Sequence, residues 1–107
     1  MATVVAAPEA DRQVEAIDDW WRVNRDSAPS LFFEEFRDTI ATLARMPRIG
    51  RRVAHPDVVS LRRTILRATR YHVYYVTDGD LVMILAVGSA VRGSGPDLAS
   101  VTFPGTA

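Results

Sequence analysis

At 107 residues the chain has the length of one small domain, able to bury roughly 65% of the surface its unfolded form exposes. It contains no Cys, which excludes a disulfide framework, thiolate metal ligation and a cysteine nucleophile. A formal net charge of zero conceals a division: residues 1–44 hold nine acidic residues against four Arg, a balance of −5, whereas residues 45–76 hold eight Arg against Asp57 alone, a balance of +7.

Thr3 to Ala7 is a run of β-branched and small residues cut by Pro8, which suits a first helical position, so an edge strand feeding a helix is expected. The N-terminus has neither the basic start nor the apolar length of a secretory leader, which predicts a cytoplasmic protein. From Glu9 onward, Val14, Ile17 and Trp21 recur at helical spacing with Trp20 flanking, while Glu15, Asp18, Asp19 and Arg22 take the other face. This predicts an amphipathic helix ending near Arg25. Asp26-Ser27-Ala28-Pro29 breaks and restarts the pattern, with Ser27 or Ala28 near the cap and Pro29 in the first turn. So short a link demands an antiparallel helix pair. The second helix places Phe32, Phe33, Phe36, Ile40 and Leu43 on one side and Glu34, Glu35 and Asp38 on the other, and Pro47 stops it at Met46.

Arg48 to Ser60 is a connection containing Pro and Gly, after which Leu61–Ala68, Tyr71–Thr77 and Leu81–Val87 read as three strands. Asp78-Gly79 is a hairpin signal, since both residues tolerate the positive φ of a tight turn. Leu81–Val87 is apolar throughout, predicting a central strand covered on both faces, with the helix pair as the cover. It is far short of the roughly 20 residues that span a bilayer, so no membrane role is expected. Beyond Gly88 the Gly, Pro, Ser and Ala content predicts a loop and, over residues 93–107, a loosely held tail. The expected architecture is therefore α+β: an N-terminal strand, an antiparallel helix hairpin, then a three-stranded antiparallel β-meander packed on the helices, all within one domain of residues 1–107.

Residues able to carry chemistry are few. His55 and His72 are far apart and lack the i, i+4 spacing that sets two imidazoles on one helical face, so no metal site is expected. The Arg-rich segment suits either phosphates or an acidic peptide, because each guanidinium presents a planar fork; a merely solvated face is the alternative. A coding bias would explain Arg in place of Lys but not the clustering. Trp20 and Trp21 fit core and rim packing better than a base-stacking platform. Gly50 is expected to supply a backbone conformation that other residues resist, and Pro47 a helix stop. Tyr71 and Tyr75 share one strand face and Tyr74 takes the other, with at least one phenol buried.

Trp20-Trp21 in the first helix, Pro47-Arg48-Ile49-Gly50-Arg51 after the second, Leu61-Arg62 opening a strand, Tyr71 with Tyr75, and Arg92 after the last apolar strand occur in that order over residues 3–92. This order resembles the RelE/ParE family of toxins from type II toxin-antitoxin pairs. The resemblance implies that family's fold, no cofactor, and a cognate antitoxin as main partner in a hetero-oligomer. Part of that antitoxin would fold across the toxin, covering apolar grooves beside the helices and pairing acidic side chains with the Arg-rich sheet.

Two activities follow from the resemblance. A RelE-like protein would cut messenger RNA on the ribosome without metal, with Arg51 or Arg52, Arg62 and Arg92 in phosphate-binding positions. The proton donor of such a nuclease is missing, since residues 93–107 hold no Tyr, His or Lys and Arg stays protonated. His72 is the one substitute the sequence offers for that donor, but in mid-strand beside three tyrosines it reads as structural. A ParE-like protein would instead poison DNA gyrase without catalysis and does without the C-terminal acid, as this chain does. The double aromatic and the Tyr-rich strand also look more like that branch, which is the favoured reading. Trp20, Trp21, Arg62, Arg63, Arg67 and Arg92 are then the candidates for contact with antitoxin or target. Where relatives often carry a His-Gly-x-Arg stretch, this chain has Gly88-Ser89-Ala90-Val91-Arg92, which weakens the nuclease reading further.

Overall fold

Strand, helix, helix and strands follow one another along the chain, and the structure, a computed structural model describing residues 1–91, joins all the strands in one sheet. β1 (Thr3–Ala6) feeds α1 (Pro8–Asn24), whose first turn holds Pro8, where the missing N–H costs nothing. Ala10 is fully buried, and Val14, Ile17 and Trp21 lie along the same stripe against the core, as the periodicity requires. α2 (Leu31–Arg45) starts later than expected: Ser30 holds the cap position, its hydroxyl bonded to Glu34, and Pro29 lies in the preceding turn. Phe32, Phe36 and Leu43 are buried, but Phe33 sits about 100° around the helix from Phe32 and is 39% exposed. Met46 ends α2, one residue before Pro47.

The sheet order is β1-β5-β4-β3-β2. Three of its strands form the expected meander, β3 (Arg62–Leu66), β4 (Tyr71–Asp78) and β5 (Leu81–Ser89), each antiparallel to the next. β1 pairs in parallel with β5, Thr3 opposite Leu81 and Ala6 opposite Ile84, which the intervening helices make possible. The two-residue β2 (Arg51–Arg52) adds the far edge, antiparallel to β3, within the segment expected to be a plain connection. At the β4–β5 hairpin only Gly79 has positive φ, at 58°, so the loop is Gly79-Asp80 in the type II′ pattern rather than Asp78-Gly79.

β5 is covered on both faces, by different parts of the chain. Toward the helices, Val82, Ile84 and Val87 join Phe32, Phe36 and Leu43. On the far face, Leu85 and Ala86 meet Val58 and Leu61, brought over by the chain between β2 and β3. A bulge makes this division: Tyr74 pairs with Ala86 but Tyr75 with Ile84, so Leu85 is extra and turns to the far face with Ala86. Tyr75 accordingly points into the helix-side core and Tyr74 into the far-side one. Where β1 ends, the side-chain carbonyl of Gln13 accepts the Val87 N–H at 2.7 Å. Glu35 of α2 clamps the β3–β4 turn, accepting from the Ala68 and Thr69 N–H groups and the Thr69 hydroxyl at 2.8, 3.0 and 2.7 Å. That turn closes with Arg70 at φ 67°, an unfavourable conformation for a side chain of its size. No helix among the described residues is long and apolar enough to cross a membrane.

A basic cleft at the edge of the sheet

The pairing of β2 with β3 sets Arg51 opposite Arg63 and Arg52 opposite Arg62. Alternation along β3 then sends Arg63 and Ile65 to the far face, beside Tyr74 and His72 of β4, and Arg62 to the opposite one. The result is a cleft of about 360 Å³ lined chiefly by Ile49, Arg51, Arg63, Ile65, Arg67 and His72. Among the described residues, none of the Arg51, Arg63 and Arg67 guanidiniums donates a hydrogen bond or meets a carboxylate. His72 is half-buried; burial first, and the Arg63 charge second, hold its imidazole below the ordinary 6.5. Its Nδ1 lies 3.4 Å from the Tyr74 hydroxyl, with the two rings edge to face. Three unpaired guanidiniums around a largely neutral imidazole make a site for anionic oxygen, with little capacity to supply a proton at neutral pH.

Arg62 is engaged elsewhere. Its Nη1 donates to the carbonyls of Arg48 at 3.1 Å and Gly50 at 2.8 Å. The other polar group of Gly50, its N–H, donates to the buried Tyr75 hydroxyl at 2.8 Å. Burial raises the Tyr75 phenol above its ordinary 10.0, and the Gly50 N–H and the Arg62 charge draw it partly back. Gly50 proves necessary for closeness rather than for an unusual φ, because only Gly79 among the described glycines has a positive one. A Cβ at Gly50 would sit 2.6 Å from the Tyr75 hydroxyl and 3.0 Å from the Arg63 carbonyl. Arg52 is exposed and donates to the Ser60 hydroxyl at 3.1 Å.

The tryptophans lie away from this cleft. The half-buried Trp21 donates its indole N–H to the Tyr71 hydroxyl at 3.1 Å, tying α1 to β4. Trp20 is 46% exposed, its ring edge-on to Trp21, and Arg25 lies over both rings at 4.9 and 5.5 Å. Beside it opens an apolar groove of about 500 Å³, lined by Ile17, Trp20, Tyr71 and Val87 among others. Of the candidates named from sequence, the structure therefore gathers Arg51, Arg63 and Arg67, separates Arg52 and Arg62 from them, and puts Trp20 and Trp21 on the helix side. Arg92 and the tail of residues 93–107 lie outside the described residues. Glu35, Gln13 and the Tyr75–Gly50 contact carry no signal in the sequence, being long-range bonds between groups that look like surface polar residues or ordinary strand positions. Among the described residues no cluster of His, Asp and Glu is placed to hold a metal ion.

Comparison with known proteins bears on this arrangement. Solved structures share the fold, among them the following three. A chain of the chromosomal ParDE system from P. aeruginosa superposes with a TM-score of 0.59 at 17% identity, covering 83% of this chain and 96% of that one. The isolated E. coli RelE toxin gives 0.56 at 21% identity, covering 87% and 88%. The intact E. coli RelBE toxin-antitoxin complex gives 0.56 at 21%, covering 86% and 100%. A comparison with curated sequences finds no match. The family described as the ParE toxin of type II toxin-antitoxin system, parDE, matches residues 4–92, from β1 through β5 and across every element that builds the cleft, and the chain belongs to that family.

Proposed function

We propose that this toxin inhibits DNA gyrase by binding, with no bond-making chemistry of its own, and that a cognate antitoxin silences it by placing carboxylates in the basic cleft. The observation that carries the reading is the composition of the cleft: Arg51, Arg63 and Arg67 without counter-ions among the described residues, beside a His72 kept largely neutral. Cleavage of RNA by attack of the 2′-hydroxyl needs a group that takes a proton and another that gives one to the leaving oxygen. Guanidinium does neither; a neutral His72 can take a proton but holds none to give to the leaving oxygen, Tyr75 is buried with a raised pKa, and residues 93–107 add no Tyr, His or Lys as the missing acid. Arg62, the position a nuclease would use for phosphate, is held by two backbone carbonyls. Binding functions have what they need: an anion site on one face and, near Trp20, an apolar groove on the other.

Supercoiling of relaxed plasmid by purified gyrase tests the proposal, with the toxin freed of its antitoxin. Lost supercoiling with accumulation of cleaved DNA is the expected result. Undisturbed gyrase in the presence of folded toxin refutes it and directs attention to messenger RNA cleavage on the ribosome.

A further inference from the structure

The clamp around Gly50 lies directly behind the cleft. β2 is two residues long and is held to β3 by the Arg51–Arg63 and Arg52–Arg62 pairs, followed by one bond from the Val53 N–H to the Leu61 carbonyl. So short an edge strand is marginal by itself. Both polar groups of the residue before it are fixed by side chains, the N–H by Tyr75 and the carbonyl by Arg62. Tyr75 is fully buried in the helix-side core, so the anchor is part of the packed interior. Neither Tyr75 nor Arg62 lines the cleft, and Gly50 is followed at once by Arg51, which does.

From this geometry we infer that Tyr75 and Arg62 are positioning residues: through Gly50 they fix the register of β2 and so hold the Arg51 guanidinium beside Arg63 for the carboxylates of an acidic peptide. The inference rests on the reading of the cleft given above and adds to it two residues that act without touching the ligand. An extended acidic peptide with apolar residues is the fitting occupant, since exposed Ile49 and Ile65 alternate with the guanidiniums, and the exposed aromatic rings Trp20 and Phe33 belong to the helices. Nucleic acid would find phosphate contacts here but, among the described residues, no stacking platform of exposed aromatic rings.

A labelled polyglutamate peptide, titrated against the whole protein at low salt, provides the test. Arg51→Gln and Arg63→Gln should each weaken binding by about fivefold, the upper range for exposed ion pairs. Tyr75→Phe removes no charge and no cleft side chain, yet should weaken binding comparably, and should add nothing in the Arg51→Gln background. A residue that merely stabilised the fold would cost the same affinity in both backgrounds, and that result overturns the inference. If Tyr75→Phe does not fold, as judged by its thermal transition, Arg62→Lys runs the same cycle. It keeps the charge but exchanges the planar fork for a flexible stem, so unchanged affinity would equally overturn the positioning role. Binding indifferent to Arg51, Arg63 and Arg67 together, or duplex DNA outcompeting the peptide at equal charge, would remove the cleft reading itself.

Discussion

Gly50→Ala is the substitution on which the structure speaks most directly. The added methyl would lie 2.6 Å from the Tyr75 hydroxyl, 2.8 Å from its Cε1 and 3.0 Å from the Arg63 carbonyl. Two of these neighbours belong to a fully buried ring and the third to the backbone of β3, so none can give way cheaply. Forcing a methyl into such packing costs about 1–3 kcal/mol, and displacing the ring from the Gly50 N–H costs about 1 kcal/mol more. Against this, Ala lowers the entropy of the unfolded chain by the equivalent of about 0.4–1 kcal/mol, since Gly50 needs no positive φ. The net loss is about 1–3 kcal/mol, which for a domain of this length lowers the melting temperature by roughly 5–15 °C. Circular dichroism melts of the two proteins measure it. The decisive comparison is with Tyr75→Phe, which deletes the atom making the closest contact. In the wild-type background that deletion should destabilise, by orphaning the Gly50 N–H, and in the Gly50→Ala background it should be neutral or stabilising. A Gly50→Ala protein that melts at the wild-type temperature, or a Tyr75→Phe effect equal in both backgrounds, would refute the close-approach argument.

Glu35→Ala removes three hydrogen bonds from the β3–β4 turn and should cost about 1–3 kcal/mol in a urea titration, with Glu35→Gln retaining part because its carbonyl still accepts. Gln13→Leu leaves the Val87 N–H without its acceptor beside the end of β1 and should cost about 1–2 kcal/mol; faster amide exchange at Val87 than at Ile84 would localise the effect. His72 has a depressed pKa, so the unfolded chain binds a proton that the folded protein refuses, and its contribution to stability is complete above pH 6.5 and lost as the pH falls through the folded value. Melting temperatures taken downward from pH 7 should fall more steeply for the wild type than for His72→Gln; parallel curves would show that His72 is indifferent to folding.

Helix and strand positions followed from periodicity because each buries one face. Ala10, Val14, Ile17 and Trp21 form one stripe of α1, and the unbroken apolar run of β5 is buried twice over. What escaped was what periodicity does not encode. The start of α2 lies at Ser30 rather than at Ser27 or Ala28 because Ser27, Pro29 and Ser30 all suit a helix start, and residue type alone does not choose among them. β2 is too short for any period, and the far-face cover by Val53, Val58 and Leu61 comes from a segment whose apolar residues follow no repeat. The Arg cluster was visible as a charge run, but its sorting into cleft and clamp was not. Arg62 and Arg63 are adjacent and identical in chemistry, and only the strand's alternation sends one to two carbonyls and the other to the cleft.

That sorting has an energetic logic. Arg51 and Arg63 stand opposite one another on neighbouring antiparallel strands, where like charges oppose pairing by up to about 1 kcal/mol. The strand that carries this repulsion is the shortest in the sheet. Left to its own ladder, β2 would swing away and disperse the charges into water. Burying the Tyr75 hydroxyl against the Gly50 N–H, and setting one further Arg on the part-buried Gly50 carbonyl and the exposed Arg48 carbonyl, offsets the repulsion. The cleft is therefore assembled before any partner arrives. An anionic segment then meets charges already in place, so encounter is fast at low ionic strength and slows as salt screens the guanidiniums. The same salt relieves Arg51 from Arg63, so rising ionic strength should weaken association while leaving the free toxin equally or more stable, a pairing of opposite trends that a site organised by its ligand would not produce.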